Sequence, residues 1–240
     1  MADECLVTGM MRVKNEARWI NQCVRSMFPV CRRVFVFDDH STDNTVAILQ
    51  TIPNVVVLSS PFEGLNEARD KDYLLSQVLE DAPRWVLHID GDEELEYHGC
   101  DRLRLLYKKY TNSDVAAIQF QVCYLWDTPQ QWRIDGLYGE FHRPSTFKIP
   151  WVTKTPLRFT CTNGTNNFHC SNFPQNIPGR VVKSGIRLKH YGYMHGEDRM
   201  RKFKWYNEKD PNNTVEDNYR HLIGRGKHAP GPAQFAAWVD

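Results

Sequence analysis

Four short apolar runs, separated by stretches of helical length and each closing on polar residues, constrain what this chain can fold into more than any other feature. Residues 7–13, 33–37 (RVFVF), 54–58 and 85–89 read as strands, rich in β-branched and aromatic side chains. Between them, residues 17–27, a stretch opened by HSTDNT, and residues 65–79 carry helical character. Within HSTDNT, Ser41 or Thr42 is placed to cap a helix while Val46, Ile48 and Leu49 begin its apolar face. Strands alternating with helices of this length imply an α/β fold, a mostly parallel sheet covered by helices on both faces.

After about residue 100 the rhythm changes. Residues 103–110 still read as helix and 116–125 as strand, but Pro, Gly, Asn, Trp and Tyr dominate residues 126–180 and predict β-rich or looped structure. Helical periodicity resumes over 198–208, where Met200, Phe203 and Trp205 or Tyr206 share one side, and Asp210-Pro211 stops it. With no linker and no repeat, the 240 residues read as one domain: a nucleotide-type half over 1–110, an acceptor-type half over 111–224 and a loose tail over 225–240.

In an open parallel sheet, ligands bind outside the carboxyl ends of the strands. Three polar clusters fall at such ends: Lys14-Asn15-Glu16, Asp38-Asp39-His40-Ser41, and Asp90-Gly91-Asp92-Glu93-Glu94. A lone cluster is more simply a solvated, helix-capping loop; three equivalent ends converge on one crevice. Asp90 and Asp92 are two apart, so extended geometry points both carboxylates to the same side. Such a pair repels unless a cation sits between or beside them, and oxygen ligands select Mg²⁺ or Mn²⁺. Gly91 leaves room for a ligand to approach the backbone.

Thirty basic against 29 acidic residues leave a formal charge of +1, which excludes bulk attraction to nucleic acid. Seven scattered cysteines without C-x-x-C spacing argue against a zinc ribbon or disulfide framework and suit a reduced, cytoplasmic compartment. No signal-peptide pattern and no membrane-spanning apolar run is present, which leaves peripheral contact with the inner face of the membrane as the membrane role still open. The Asn-x-Thr sequons at Asn163 and Asn212 carry no weight in such a compartment.

The segments MRVKNEARWI, VFVFDDHSTDNT and WVLHIDGDEEL, in that order and spacing, resemble glycosyltransferase family 2, and KHYGYMHGEDRMRKFKWYNEKDP resembles the closing segment of a bacterial subgroup. The resemblance implies a GT-A fold and transfer of a sugar from a nucleotide-diphosphate sugar, UDP favoured and GDP open, to a glycan, lipid-linked or peptide acceptor. It also implies that Asp39 or Asp38 meets the base, that residues 13–16 (Val13, Asn15, Glu16) lie along base and ribose, and that Asp90 lies near the ribose or sugar. By the same resemblance Asp92 ligates Mn²⁺ or Mg²⁺, completed by His190, with His195 as second choice.

A departing diphosphate needs positive charge, for which Arg69, Lys71, Arg201 and Lys202 stand as alternatives. An inverting transfer needs a base within reach of the acceptor hydroxyl; Asp135 and Glu140 in QWRIDGLYGEFHRPSTF lead, ahead of Glu94 and Asp127. Of the aromatic residues in the second half, Trp126 and Trp132 are the expected acceptor platforms. An aspartyl phosphohydrolase fits less well, because Glu93 follows the second aspartate and three strands precede it. A nucleotidyltransferase lacks its glycine-rich loop after the first strand. A catalytically degenerate sugar-nucleotide or carbohydrate-binding module remains the alternative.

Overall fold

The computed structural model describes residues 6–151, 155–161, 168–213, 217–224 and 231–239; Cys5, the sequon at Asn163 and residues 225–230 of the tail lie outside them. In chain order the strands and helices are β1 (Val7–Val13), α1 (Ile20–Met27), β2 (Arg33–Asp38), α2 (Thr45–Gln50), β3 (Val55–Ser59), α3 (Glu67–Leu79), β4 (Trp85–His88), β5 (Glu93–Leu95) and α4 (Gly99–Tyr110). There follow β6 (Val115–Trp126), β7 (Thr128–Arg133), β8 (His142–Lys148), β9 (Arg180–His190), α5 (Gly196–Lys209) and β10 (Phe235–Ala237). The sheet runs β10-β7-β6-β8-β4-β1-β2-β3, with β9 paired to β6 and β5 paired to β9.

β1 to β4 are mutually parallel, as the alternation requires, and their register aligns their carboxyl ends: Val13 pairs with Asp38, Asp38 with Ser59, and Met10 with His88. Alternate side chains of β2 feed opposite layers, Val34 and Val36 toward α1 and α2, Phe35 and Phe37 toward α3. α1 begins at Ile20 rather than at 17, because the backbone of residues 15–19 is tied to the neighbouring loop: Asn15 N–H donates to Ser41 Oγ, Glu16 N–H to Thr45 Oγ1 and Ala17 N–H to Asp43. α2 is preceded by Asn44, and Asp43 accepts from Thr45 N–H at 2.9 Å, so neither Ser41 nor Thr42 caps it.

The second half extends the sheet. β8 is antiparallel to both β4 and β6, while β6 and β9 are parallel, so residues 126–180 contribute two strands as well as loops. The expected loose tail is ordered where it is described: β10 pairs with β7, and Arg187 lies over the Trp238 ring at 4.2 Å. No helix among the described residues is long and apolar enough to cross a membrane.

Candidate functional site

Two registers bring the polar clusters together. Glu93 of β5 pairs with His190 of β9, which also pairs with Tyr124 of β6, and Tyr191 N–H donates to Asp92 O at 2.8 Å. The DGDEE loop is thus clamped against the KHYGY segment, about 100 residues downstream in sequence.

The carboxylates have internal partners from far along the chain. Arg143 of β8 donates from Nη1 to Asp90 Oδ2 at 2.9 Å and from Nη2 to Glu93 Oε2. Glu93, fully buried, also accepts the Asp90 N–H, so it pins the loop. Lys202 of α5 donates to Asp92 Oδ2 at 2.8 Å. Burial pushes Asp90 up, but Arg143 and Lys71 pull it well below the usual carboxylate range; His190 and Lys202 likewise outweigh burial at Asp92. Glu16, facing the same corner, goes the other way: burial and then the Asp92 charge push it up to about 8, protonated at neutral pH.

His190 lies with Nδ1 3.6 Å from Asp92 Oδ1 and 3.5 Å from Glu93 Oε1. Both its ring nitrogens and Glu93 Oε1 are buried without hydrogen-bond partners, an arrangement native interiors rarely leave unused. Among the described residues no ready-made group of three or more His, Cys, Asp or Glu forms a metal cluster. The donors present, carboxylate oxygen and imidazole nitrogen, fit a hard divalent ion that takes its other ligands from phosphate and water. Lys202 occupies Asp92 Oδ2, the position an ion on that carboxylate would contest. Sequence reasoning missed the role of Gly192: a Cβ there would collide with Asp92 Oδ2 and Lys202 Nζ.

At the ends of β1 and β2, Asp39 N–H donates to Val13 O at 2.9 Å, and Asn15 Oδ1 accepts from Thr42 N–H at 2.7 Å, so the first two clusters are laced into one rim. Asp39 is held by Arg12 at 2.8 Å and Lys14 at 3.5 Å. Asp38 accepts from Ser41 N–H, but its Oδ1 is buried and unpartnered. Gly91 does not open space for a ligand: a Cβ there would meet Val13 Cγ1 at 2.7 Å and Glu16 Cγ at 3.2 Å, so the glycine lets the loop pack on β1.

Several sequence-derived assignments meet structural corrections. Arg69 lies over Phe62 and donates to Asp70, Glu63 O and Gly64 O, which fixes it to its own loop. Lys71 is buried and donates to Cys170 O, Ser171 O and Asn172 Oδ1, so it braces a wall rather than a phosphate. Arg201 pairs with Asp198 at the surface, and His195 precedes α5 and stacks on Trp19. Of the four candidate cations Lys202 alone donates to a carboxylate of this corner, while Lys71 acts on Asp90 through its charge.

Asp135 is buried with both oxygens on Arg133, at 2.8 and 2.9 Å, and also accepts Gln234 N–H, which leaves it placed as a structural anion rather than a base. Glu94 follows Glu93 on a strand and therefore faces the other way, where Tyr191 OH donates to it at 2.6 Å. Asp127 pairs with Arg199. Glu140 is exposed, and its neighbour Phe141 lines a cavity of about 480 Å³ together with Tyr124, Tyr138, Tyr193 and Arg143. Trp126 and Trp132 do not line it: Trp126 is buried between Arg133 and Arg199, and Trp132 packs on the core. The stacked pair Tyr124 and Tyr193, centroids 5.1 Å apart, stands against both His190 and the cavity.

Residues 10–173 match the family model described as glycosyl transferase family 2. An uncharacterized glycosyltransferase of Rickettsia felis is 22% identical over 210 residues, covering 88% of this chain and 70% of that protein. The solved structure of S. aureus TarS 1-349 superposes with a TM-score of 0.54 at 14% identity, covering 91% of this chain and 71% of that one. Its complex with UDP superposes at 0.53 and 13% identity, covering 92% and 71%. The structural likeness is one of fold.

Proposed function

The chain belongs to glycosyl transferase family 2, a transferase enzyme acting on sugars, and on that premise we propose that it moves a sugar from UDP to an acceptor hydroxyl with the help of Mn²⁺ or Mg²⁺. The observation that carries this proposal is the convergence of Asp92, His190 and Lys202, with two imidazole nitrogens unpartnered, at the carboxyl ends of the parallel strands. UDP is favoured because the TarS structure was solved with UDP, in the same fold.

In this proposal Asp39, or Asp38 through its unpartnered Oδ1, accepts from the base, and the Val13-to-Glu16 rim lies along base and ribose. Asp90, oriented by Arg143, receives the ribose or sugar. Asp92 and His190 hold the divalent ion, which when bound supplies Lewis-acid charge to the departing diphosphate. Lys202, released from Asp92, donates to the same phosphate oxygens. The acceptor enters the tyrosine-lined cavity, where ring faces suit a sugar. Glu140 is the carboxylate left to take the hydroxyl proton in an inverting transfer. A cytoplasmic location accompanies this proposal, tested by cell fractionation.

One observation favours a second reading. Lys202 already neutralises Asp92 and Arg143 neutralises Asp90, so internal cations could stand in for the metal, in a metal-independent enzyme or a binding module. A panel of nucleotide sugars, followed as nucleotide release with Mn²⁺ or with EDTA, separates them. Release from one UDP-sugar that EDTA stops supports the proposal; EDTA-insensitive release supports the metal-independent enzyme, and UDP binding without any release supports the module. Glu140→Gln should lose transfer while keeping UDP affinity; unchanged transfer would remove Glu140 as the base.

A further inference from the structure

Eight residues separate Cys161 from Cys170 in sequence, yet they face one another across an isolated antiparallel bridge, both as free thiols. Ser171 N–H donates to Thr160 O just outside the pair, which makes it a non-hydrogen-bonded position. Opposed Cα atoms there stand about 4.5 Å apart, within the range of about 4.4–6.8 Å that a disulfide spans. The two thiols, on facing residues of this bridge, are within hydrogen-bonding reach of one another. Cys161 Sγ also accepts the Ala68 N–H in the first turn of α3, where a helix N-terminus favours a thiolate. Burial pushes both thiols up, and nearby Lys71 opposes it. Cys161 is half-buried and Cys170 buried, which orders their reactivity.

The pair stands where closure matters. Cys170 N–H donates to Glu67 at 3.0 Å, and Lys71 holds the carbonyls of Cys170 and Ser171. Asn172 O meets His88 Nδ1 at 2.9 Å on the strand that leads into Asp90. The segment from Cys170 to Phe173 is a wall of the tyrosine-lined cavity.

We propose that Cys161 and Cys170 form a reversible intramolecular disulfide that fixes this wall, made by exchange with a low-molecular-weight disulfide such as oxidised glutathione. The Cys161 thiolate attacks one sulfur of the small disulfide and releases one small thiol. Cys170, losing its proton, then attacks Cys161 Sγ and releases the second. The two cysteines are oxidised, the small disulfide is reduced to two thiols, and no other reactant is needed. This proposal stands whether or not the chain transfers a sugar.

The test is peptide mapping by mass spectrometry of the full chain equilibrated with oxidised glutathione, beside its thermal unfolding midpoint. A peptide linking Cys161 to Cys170, two hydrogens lighter and restored by dithiothreitol, is expected. Closing so short a loop should raise the midpoint by about 5–10 °C. Cys161→Ser should lose both effects while keeping the reduced protein's midpoint. No link in folded wild-type protein, a stable glutathione adduct on Cys161 without closure, or a link to another cysteine would each overturn the proposal.

Discussion

Arg143 joins the antiparallel half of the sheet to the carboxylate loop, and its removal should be felt first as stability. Arg143→Met leaves Glu93, which is fully buried, with the Asp90 N–H as its remaining donor. Breaking a buried ion pair from one side costs about 3–5 kcal/mol, because the abandoned charge stays desolvated. Asp90, at 35% side-chain exposure, can turn to water and should add little. Glu93→Gln alone strands the guanidinium instead and should cost somewhat less, since Asp90 still binds it. The double variant Arg143→Met/Glu93→Gln removes both charges and should lose only about 1–2 kcal/mol, giving a coupling energy on the order of 5 kcal/mol. Urea unfolding of the four proteins, with the slope checked for constancy, measures the cycle. A loss below about 1 kcal/mol for Arg143→Met, or a double variant equal to the sum of the singles, would refute this account of how the loop is held.

Three other perturbations separate structural from functional roles. Asp135→Asn should lower stability by about 3 kcal/mol, since it uncouples the buried Arg133, while UDP affinity measured by titration stays within twofold; a selective loss of turnover would return Asp135 to catalysis. Gly192→Ala forces a methyl onto Asp92 and Lys202, so UDP affinity should fall at least tenfold with a stability loss of about 1–3 kcal/mol, and unchanged affinity would show the corner to be slack. Burial, then Lys71, pushes the His88 imidazole down to about 3, so the unfolded chain binds a proton below about pH 6.5 that the folded chain refuses. Stability should therefore be lost as pH falls, by about 1.4 kcal/mol per unit from this residue. His88→Gln should flatten the slope between pH 6.5 and 5 relative to wild type, and parallel slopes would contradict the assignment.

The first half of the fold was legible because β1, β2 and β4 are continuous buried runs and each crossover helix carries its own periodicity. The second half was not, because β5, β8, β9 and β10 are defined by partners far away in sequence, and a short run such as Glu93–Leu95 carries no strand signal of its own. The carboxylate corner was visible as an excess of negative charge; its cations were not. Arg143 stands in a segment whose acids, Asp135 and Glu140, carry the visible signal, and nothing local ties it to Asp90. Lys202 was one of four equivalent basic residues until α5 was positioned. Lys71, offered by the sequence as a cation for the diphosphate, is buried together with Asp70, because α3 lies beneath the Cys170 segment and beside Arg12. Asp135 carried the right chemistry at the right distance along the chain, but its neighbour Arg133, two residues away on an extended backbone, takes both oxygens.

In the proposed function Asp92, His190 and Lys202 form a corner for a divalent ion and a diphosphate. Calorimetric titration of UDP into the wild-type chain and into Asp92→Ala, each with Mn²⁺ and with EDTA, tests it most directly. Binding that requires Mn²⁺ in the wild type and is at least tenfold weaker in a folded Asp92→Ala protein is the expected result. Equal UDP affinity with Mn²⁺ and with EDTA, or an Asp92→Ala protein that binds as the wild type does, would contradict it.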